Sequence, residues 1–139
     1  MKFENSTYCN SISYYKQEMP FGNFYFCEKF IIAELHAGVH FDWSKLELVI
    51  KEIIEFYGND VKLDFISNRI NSYSIDPHNW IKIETYNIIE KRAIVYYSKI
   101  MYMNASLEKR FSKVKIHPCL SLDEAIEWVQ HLKKLNLKN

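Results

Sequence analysis

The strongest hydrophobic pattern in the chain is helical. Trp43, Leu46, Val49, Ile50, Ile53, Ile54 and Tyr57 recur at spacings of three and four. On a wheel of 100° per residue they fill an arc of about 140°, opposite Lys51, Glu52 and Glu55. Asp42 suits the N-cap of this helix and Gly58 its stop. Two short strands precede it, FYFC at 24–27 and FIIAELHA at 30–37, separated by the polar pair Glu28 and Lys29. In the second, Ile31, Ala33 and Leu35 share one face, and Phe30, Ile32 and Glu34 share the other. VKLDFI at 61–66 alternates in the same way, with Val61, Leu63 and Phe65 opposite Lys62 and Asp64.

The polar junction ISNRINSYSIDP follows. Asp76 as a cap and Pro77 at the first helical position predict a helix to about Tyr86, although Ile81 and Ile83 against Lys82 and Glu84 also alternate as a strand would. RAIVYYS at 92–98 is apolar on both faces, the pattern of a covered, central strand. Met103, Leu107 and Phe111 predict a short helix over 103–111. KVKIHPC closes the strand series, and its Pro118 suits an edge. Ser121 and Glu124 form a capping box for a last helix with Leu122, Ala125, Ile126, Val129 and Leu132 inward and Trp128 at the margin. Residues 1–20 show no sustained period and are expected to be an N-terminal arm or an added edge strand, ahead of one domain over 21–139. The order β-β-α-β-α-β-α-β-α predicts an α/β fold with right-handed crossovers and largely parallel pairing.

Composition narrows the function more than the fold. The chain of 139 residues has the length of one domain and carries a net charge of +1, so the basic footprint of a nucleic-acid binder is missing. Lys133, Lys134 and Lys138 fall at the end of the last helix, where cations meet the negative end of its dipole. The three cysteines, Cys9, Cys27 and Cys119, have neither disulfide-framework nor C-x-x-C spacing. No signal-peptide core and no membrane-spanning run is evident, so a cytoplasmic location is expected. Aromatic residues reach 16%; a ligand pocket, a contact surface or a plain compositional bias would each produce that. With three glycines and no G-x-S-x-G turn, phosphate-cradling loops and the common nucleophile elbow are excluded. His36 and His40 are interrupted by Gly38, while His117 and Cys119 share a strand face but need two further metal ligands. No acid/base pair stands out among Asp60, Asp64 and Asp76. The expectation is a protein without metal, cofactor or catalysis.

The junction ISNRINSYSIDP, the strand RAIVYYS and the closing SLDEAIEWV together resemble the STAS fold of anti-sigma-factor antagonists, and more closely the small SpoIIAA-like bacterial proteins. The resemblance spans roughly residues 22–133. It implies a single-layer mixed sheet of four or five strands with helices mainly on one face, and a regulatory or protein-interaction module. In the antagonists a serine between a buried strand and the next helix is phosphorylated by a partner kinase. By position this implicates Ser72 and Ser74 as phosphosites, although the compact Asp-Ser pair of that family has no counterpart and Asp76 stands at the cap. The same broad fold also resembles lipid-exchange domains of the Sec14 type, which implies a carrier of an apolar or amphipathic ligand, lined here by Tyr25, Phe30, Tyr96 and Trp128.

At the carboxyl ends of strands in open α/β sheets, helix N-termini present unpaired N–H groups to ligands. The expected binding set is therefore Asn68, Arg69, Asn71, Ser72, Tyr73 and Ser74 in one exposed turn. Arg69 would contact an anion, Tyr73 would offer a packing surface, and the Asn and Ser groups would orient by hydrogen bonds. The bland alternative is an irregular loop whose Asn and Ser side chains satisfy their own backbone. Leu48 on the charged side of the first helix, with Phe56 at its margin, marks a second place where a protein partner or a second copy of the chain could sit.

Overall fold

The computed structural model describes the backbone of residues 1–138 and the side chains of residues 1–130. Leu132, Lys133, Lys134 and Lys138, assigned above to the last helix, therefore lie outside the described side chains. In chain order the elements are β1 (Tyr15–Met19), β2 (Gly22–Phe26), β3 (Phe30–Leu35), β4 (His40–Phe41), α1 (Trp43–Tyr57), β5 (Leu63–Asn68) and β6 (Ser74–Ile75). Then come α2 (Asn79–Ile83), β7 (Ile89–Val95), α3 (Lys99–Glu108), β8 (Lys115–Cys119) and α4 (Leu122–Lys138), with short 3-10 turns at Phe3–Asn5, Thr7–Asn10 and Glu84–Tyr86.

The main sheet has six strands in the order β1-β2-β3-β5-β7-β8, rather than four or five. β1, β2 and β3 pair antiparallel, and β3, β5, β7 and β8 pair parallel, so the sheet is mixed, with three of its five pairings parallel and β2 running against the other strands. The additional member is β1, whose Tyr-Lys-Gln-Glu-Met sequence suits an exposed edge. A separate two-stranded ladder joins β4 to β6.

The four parallel strands lie side by side in chain order, so crossovers of one hand all pass over the same face. α1, α2 and α3 lie there. Leu46, Val49, Ile50 and Ile53 of α1, with Trp80 and Ile83 of α2, pack on Phe24, Phe26, Ile31, Ala33, Leu63 and Phe65. Ala105 of α3 meets Ile94 and Ile116 farther along that face. The chain leaves β8 onto the opposite face, where Leu122, Ala125, Ile126 and Val129 of α4 cover Ile32, Ile66, Ala93 and Val95, joined by Phe3 from the N-terminal turn.

The caps follow the sequence. Asp42 Oδ1 accepts the Lys45 N–H at 3.2 Å, and Gly58, at φ 95°, closes α1 with an N–H to Ile54 O. Ser121 Oγ accepts the Glu124 N–H at 3.1 Å, while Glu124 reaches back to the Leu120 N–H at 2.7 Å. The ambiguous stretch is helical from Asn79, with His78 rather than Asp76 at the N-cap and Pro77 in the turn before it. Asp76 Oδ1 accepts the His78 N–H at 3.0 Å, and α2 passes into the 3-10 turn that ends at Asn87, φ 53°.

The helix predicted over 103–111 begins earlier and stops earlier. Ser98 Oγ accepts the Met101 N–H at 3.2 Å and starts α3 at Lys99. Met103 and Leu107 face outward and Phe111 lies beyond the helix end; Ala105 and Glu108 are the residues α3 buries.

Candidate functional site

Two polar clusters flank the carboxyl end of β5, one on each face of the sheet. Alternation along β5 separates them. Ser67 and Arg69 point to the side of α1–α3, and Asn68 points to the side of α4 and the N-terminal turn.

On the first side, Arg69 Nη1 lies 2.5 Å from Glu108 Oε2 and Arg92 Nη2 donates to Glu108 Oε1 at 3.1 Å. The Trp80 indole N–H donates to that same Oε1 at 2.9 Å, and the Arg92 guanidinium stacks 3.2 Å above the Trp80 ring. Arg69 Nε donates to Ser67 Oγ at 3.2 Å, and the Tyr73 hydroxyl shares that oxygen at 3.2 Å. All three ionic side chains are nearly inaccessible, Arg92 at 1%. Burial alone would raise the Glu108 carboxyl, but the guanidiniums of Arg69 and Arg92 overcome it and hold it below the usual range. For Arg92 burial dominates: the attraction of Glu108 does not offset it, Arg69 opposes the charge further, and the group is pulled down to about 10. Two cations thus share one carboxylate, and Arg69 Nη2, Arg92 Nε and Arg92 Nη1 have no hydrogen-bond partner among the described residues.

On the second side, Glu34 at the end of β3 is buried. It accepts the Phe3 N–H at 2.8 Å and the Asn68 side-chain amide at 2.7 Å. That amide also donates to Met1 O at 2.9 Å, and Tyr97 OH donates to Asn68 Oδ1 at 2.6 Å. Burial raises Glu34 above the ordinary carboxylate value, against the two hydrogen bonds that favour its charge. Beside it lies a polar depression of about 110 Å³, lined by Lys2, Glu4, Asn23, Tyr25, His36 and Asn71 among others.

The predicted binding set is therefore not one exposed turn. Asn68 and Arg69 are buried on opposite faces, because strand alternation continues to the end of β5 and each head group finds a partner inside. Arg69 is bound to Glu108 and is not a free anion contact at the rim. Tyr73 packs into the core beside Arg69 rather than offering an outer surface. Asn71 donates to Leu35 O at 3.0 Å, and Ser72 O accepts the Gly38 N–H at 2.8 Å. Ser72 and Ser74 are exposed. Ser74 Oγ meets His40 Nδ1 at 2.7 Å, so histidine rather than Arg69 neighbours this hydroxyl.

The proposed carrier lining does not converge either. Tyr25 and Phe30 are core residues under α4 and the N-terminal turn, Trp128 stacks on His117 at their rim, and Tyr96 packs against Tyr102 of α3. Phe3, Leu122 and Ile126 pack in the same buried cluster as Tyr25 and Phe30. Glu124 joins His117 and Cys119, their ligand atoms all within 4.8 Å of one another. Three groups leave a four-coordinate site one short, and burial followed by the Glu124 charge pushes the Cys119 thiol up to about 12, away from the thiolate a metal needs.

Sequence reasoning passed over Arg92, Glu108 and Glu34. A signal existed for Arg92: it heads a run covered on both faces, and a cation there requires a buried partner. Glu108 was hidden because the apolar row Met103–Leu107 suggested the wrong inner face for α3.

The outer face of α3 is apolar. Ile100 is 72% exposed and Met103 60%, with Tyr102 and Leu107 beside them and Tyr97 just before the helix. Lys99, Lys109, Arg110, Lys113 and Lys115 lie within or just after it, whereas Glu108, the acid of that segment, is turned inward. Among the described residues no helix is long and apolar enough to cross a membrane.

No family model matches the chain, and no curated protein does. Among solved structures it is similar to an uncharacterised protein of the DUF3478 family from Shewanella loihica PV-4, described as having a SpoIIAA-like fold. The two share 9% identity over 84% of this chain and 92% of the other, with a TM-score of 0.51. The class is thus set by architecture: a mixed six-stranded sheet and four helices in the SpoIIAA-like fold.

Proposed function

We propose that the protein is a non-catalytic interaction module of the STAS-like kind, and that it meets a protein partner through the outer face of α3. The supporting observation is the exposure of Ile100, Tyr102, Met103 and Leu107 on one short helix that gives the core only Ala105 and Glu108. Contiguous apolar surface of this sort on a small domain marks an interaction site, since solvation of a lone helix face gains nothing from it. The basic residues around it favour a partner with an apolar centre and an acidic rim, which speeds encounter more than it tightens the complex.

Affinity capture from the native cell, comparing wild type with Ile100→Glu/Met103→Glu, tests this. Both positions are exposed, so thermal stability should be unchanged within about 0.5 kcal/mol per substitution. A polypeptide retained by wild type should be lost from the variant, and raised salt should slow its association. Identical captured sets would refute the reading.

A further inference from the structure

The cluster under α3 holds more donor capacity and more positive charge than Glu108 can satisfy. Its two guanidiniums face one carboxylate. The two oxygens of Glu108 take one N–H each from Arg69, Arg92 and Trp80, and three guanidinium nitrogens remain without partners. Buried polar groups are ordinarily all hydrogen-bonded, and buried charges are paired. An uncompensated cation in the interior of a small domain is therefore a feature that needs an occupant.

We infer that Arg69, Arg92 and the Trp80 indole N–H form a receptor for a phosphate group, and that the Glu108 carboxylate fills it here as an internal occupant. A phosphate monoester suits the site better than a carboxylate. Its dianion matches both guanidiniums, and its terminal oxygens supply acceptors for the nitrogens that Glu108 leaves bare. Trp80 adds an aromatic floor that holds the Arg92 plane in place from below.

The fold also supplies a way in. The cavity beside Arg92, lined by Trp80, Ile83, Ile89, Ser112 and Val114, measures about 10 Å³, room for roughly one water. Glu84, at the same cavity, is engaged by the Lys113 N–H at 2.8 Å. Phosphate cannot sit next to Glu108 in that space and has to replace it. α3 is suited to release it, because Ala105 is the apolar residue it buries and Glu108 is its polar tie to the sheet. Ligand binding and the docking of α3 through Glu108 are thus competing events. This holds whether or not the outer face of α3 meets a protein.

Melting temperatures of wild type, Glu108→Ala and Glu108→Ala/Arg92→Met in inorganic phosphate, against chloride and acetate at matched ionic strength, test the site directly. Glu108→Ala should gain roughly 4–6 °C at phosphate tenfold above its dissociation constant. Wild type should gain less than half of that, and the double variant nothing. Equal melting of Glu108→Ala in phosphate and chloride would overturn the receptor. An acetate response as large as the phosphate response would overturn the choice of phosphate. Should Glu108→Ala fail to fold in chloride, recovery of folded protein in phosphate supports the site. If phosphate recovers none, amide exchange in wild type decides: at saturating phosphate the amides of 99–108 should exchange faster, and unchanged exchange rejects the proposal.

Discussion

Removing the Glu108 carboxylate leaves Arg69 and Arg92 facing each other inside the protein without a counter-charge. Breaking a buried pair in this way costs about 3–5 kcal/mol, chiefly the penalty of the stranded charge. Removing Arg92 instead leaves Arg69 and Glu108 as a neutral pair. Arg92→Met, which keeps much of the stem volume over Trp80, should therefore destabilise less than Glu108→Ala; urea denaturation gives the order, and the reverse order would show that Arg92 carries no surplus charge. The two buried carboxylates have opposite pH signatures. Glu108 is held below the usual value, so its contribution is present above about pH 4.5 and is lost as pH falls through its folded-state value. Glu34 is raised, so between 4.5 and its higher folded-state value the folded chain keeps a proton that the unfolded chain has released. Stability consequently declines as pH rises through that window. Glu34→Gln, whose carbonyl can still accept from Phe3 and Asn68, should remove the decline, so that its stability relative to wild type improves between pH 4.5 and 7. A constant difference across that range would show that Glu34 is not strained by its burial.

Elements differ in how plainly the chain announces them. α1 was legible in full because pattern, cap and stop agree: Asp42 bonds the Lys45 N–H, four apolar residues enter the core, and Gly58 takes the positive φ that ends the helix. β3 was legible to the side chain, since strict alternation places Ile31, Ala33 and Leu35 in one core and Phe30 and Ile32 in the other. α3 was misread. It buries Ala105 and a carboxylate shared by two guanidiniums, and a helix that shows its hydrophobic row to solvent defeats any rule equating apolar with inside. The junction was misread for a related reason. Polar residues were assigned to the surface, yet Asn68 and Arg69 are inside because their partners, Glu34 and Glu108, come from elements 34 and 39 positions away. Such long-range pairing leaves no periodic trace. Gly22 carried a signal that periodicity also misses. A Cβ there would lie 2.7 Å from Glu34 O and 2.8 Å from Leu35 Cα, which the β2–β3 pairing cannot accept without spreading. Gly22→Ala should cost about 1–3 kcal/mol as overpacking, seen as a lower urea midpoint with an unchanged m-value. Wild-type stability would mean that the two strands can separate freely at that end.

At the scale of the molecule, the connections protect one face of the sheet and leave the other to be covered separately. Three crossover helices shield the first core, whereas the second has α4 and whatever the first residues supply. Phe3 supplies a large part of that cover. It is fully buried, lies 4.8 Å from the Tyr25 ring and 5.0 Å from Tyr14, and its N–H anchors Glu34. The N-terminal segment is in this sense a lid on the second core, held at the point where β3, β5 and the end of β7 meet through Glu34, Asn68 and Tyr97. Phe3→Ala should then cost about 3–5 kcal/mol, a large share of the ~5–15 kcal/mol that stabilises a domain. The loss should be global, because opening that corner exposes Tyr25 and leaves the Glu34 charge next to a cavity. Equilibrium urea unfolding followed by circular dichroism and by tyrosine fluorescence distinguishes the cases. Coincident transitions at a lower midpoint are expected. An early fluorescence transition that leaves the helical signal intact would make the first residues an appendage whose removal the sheet survives.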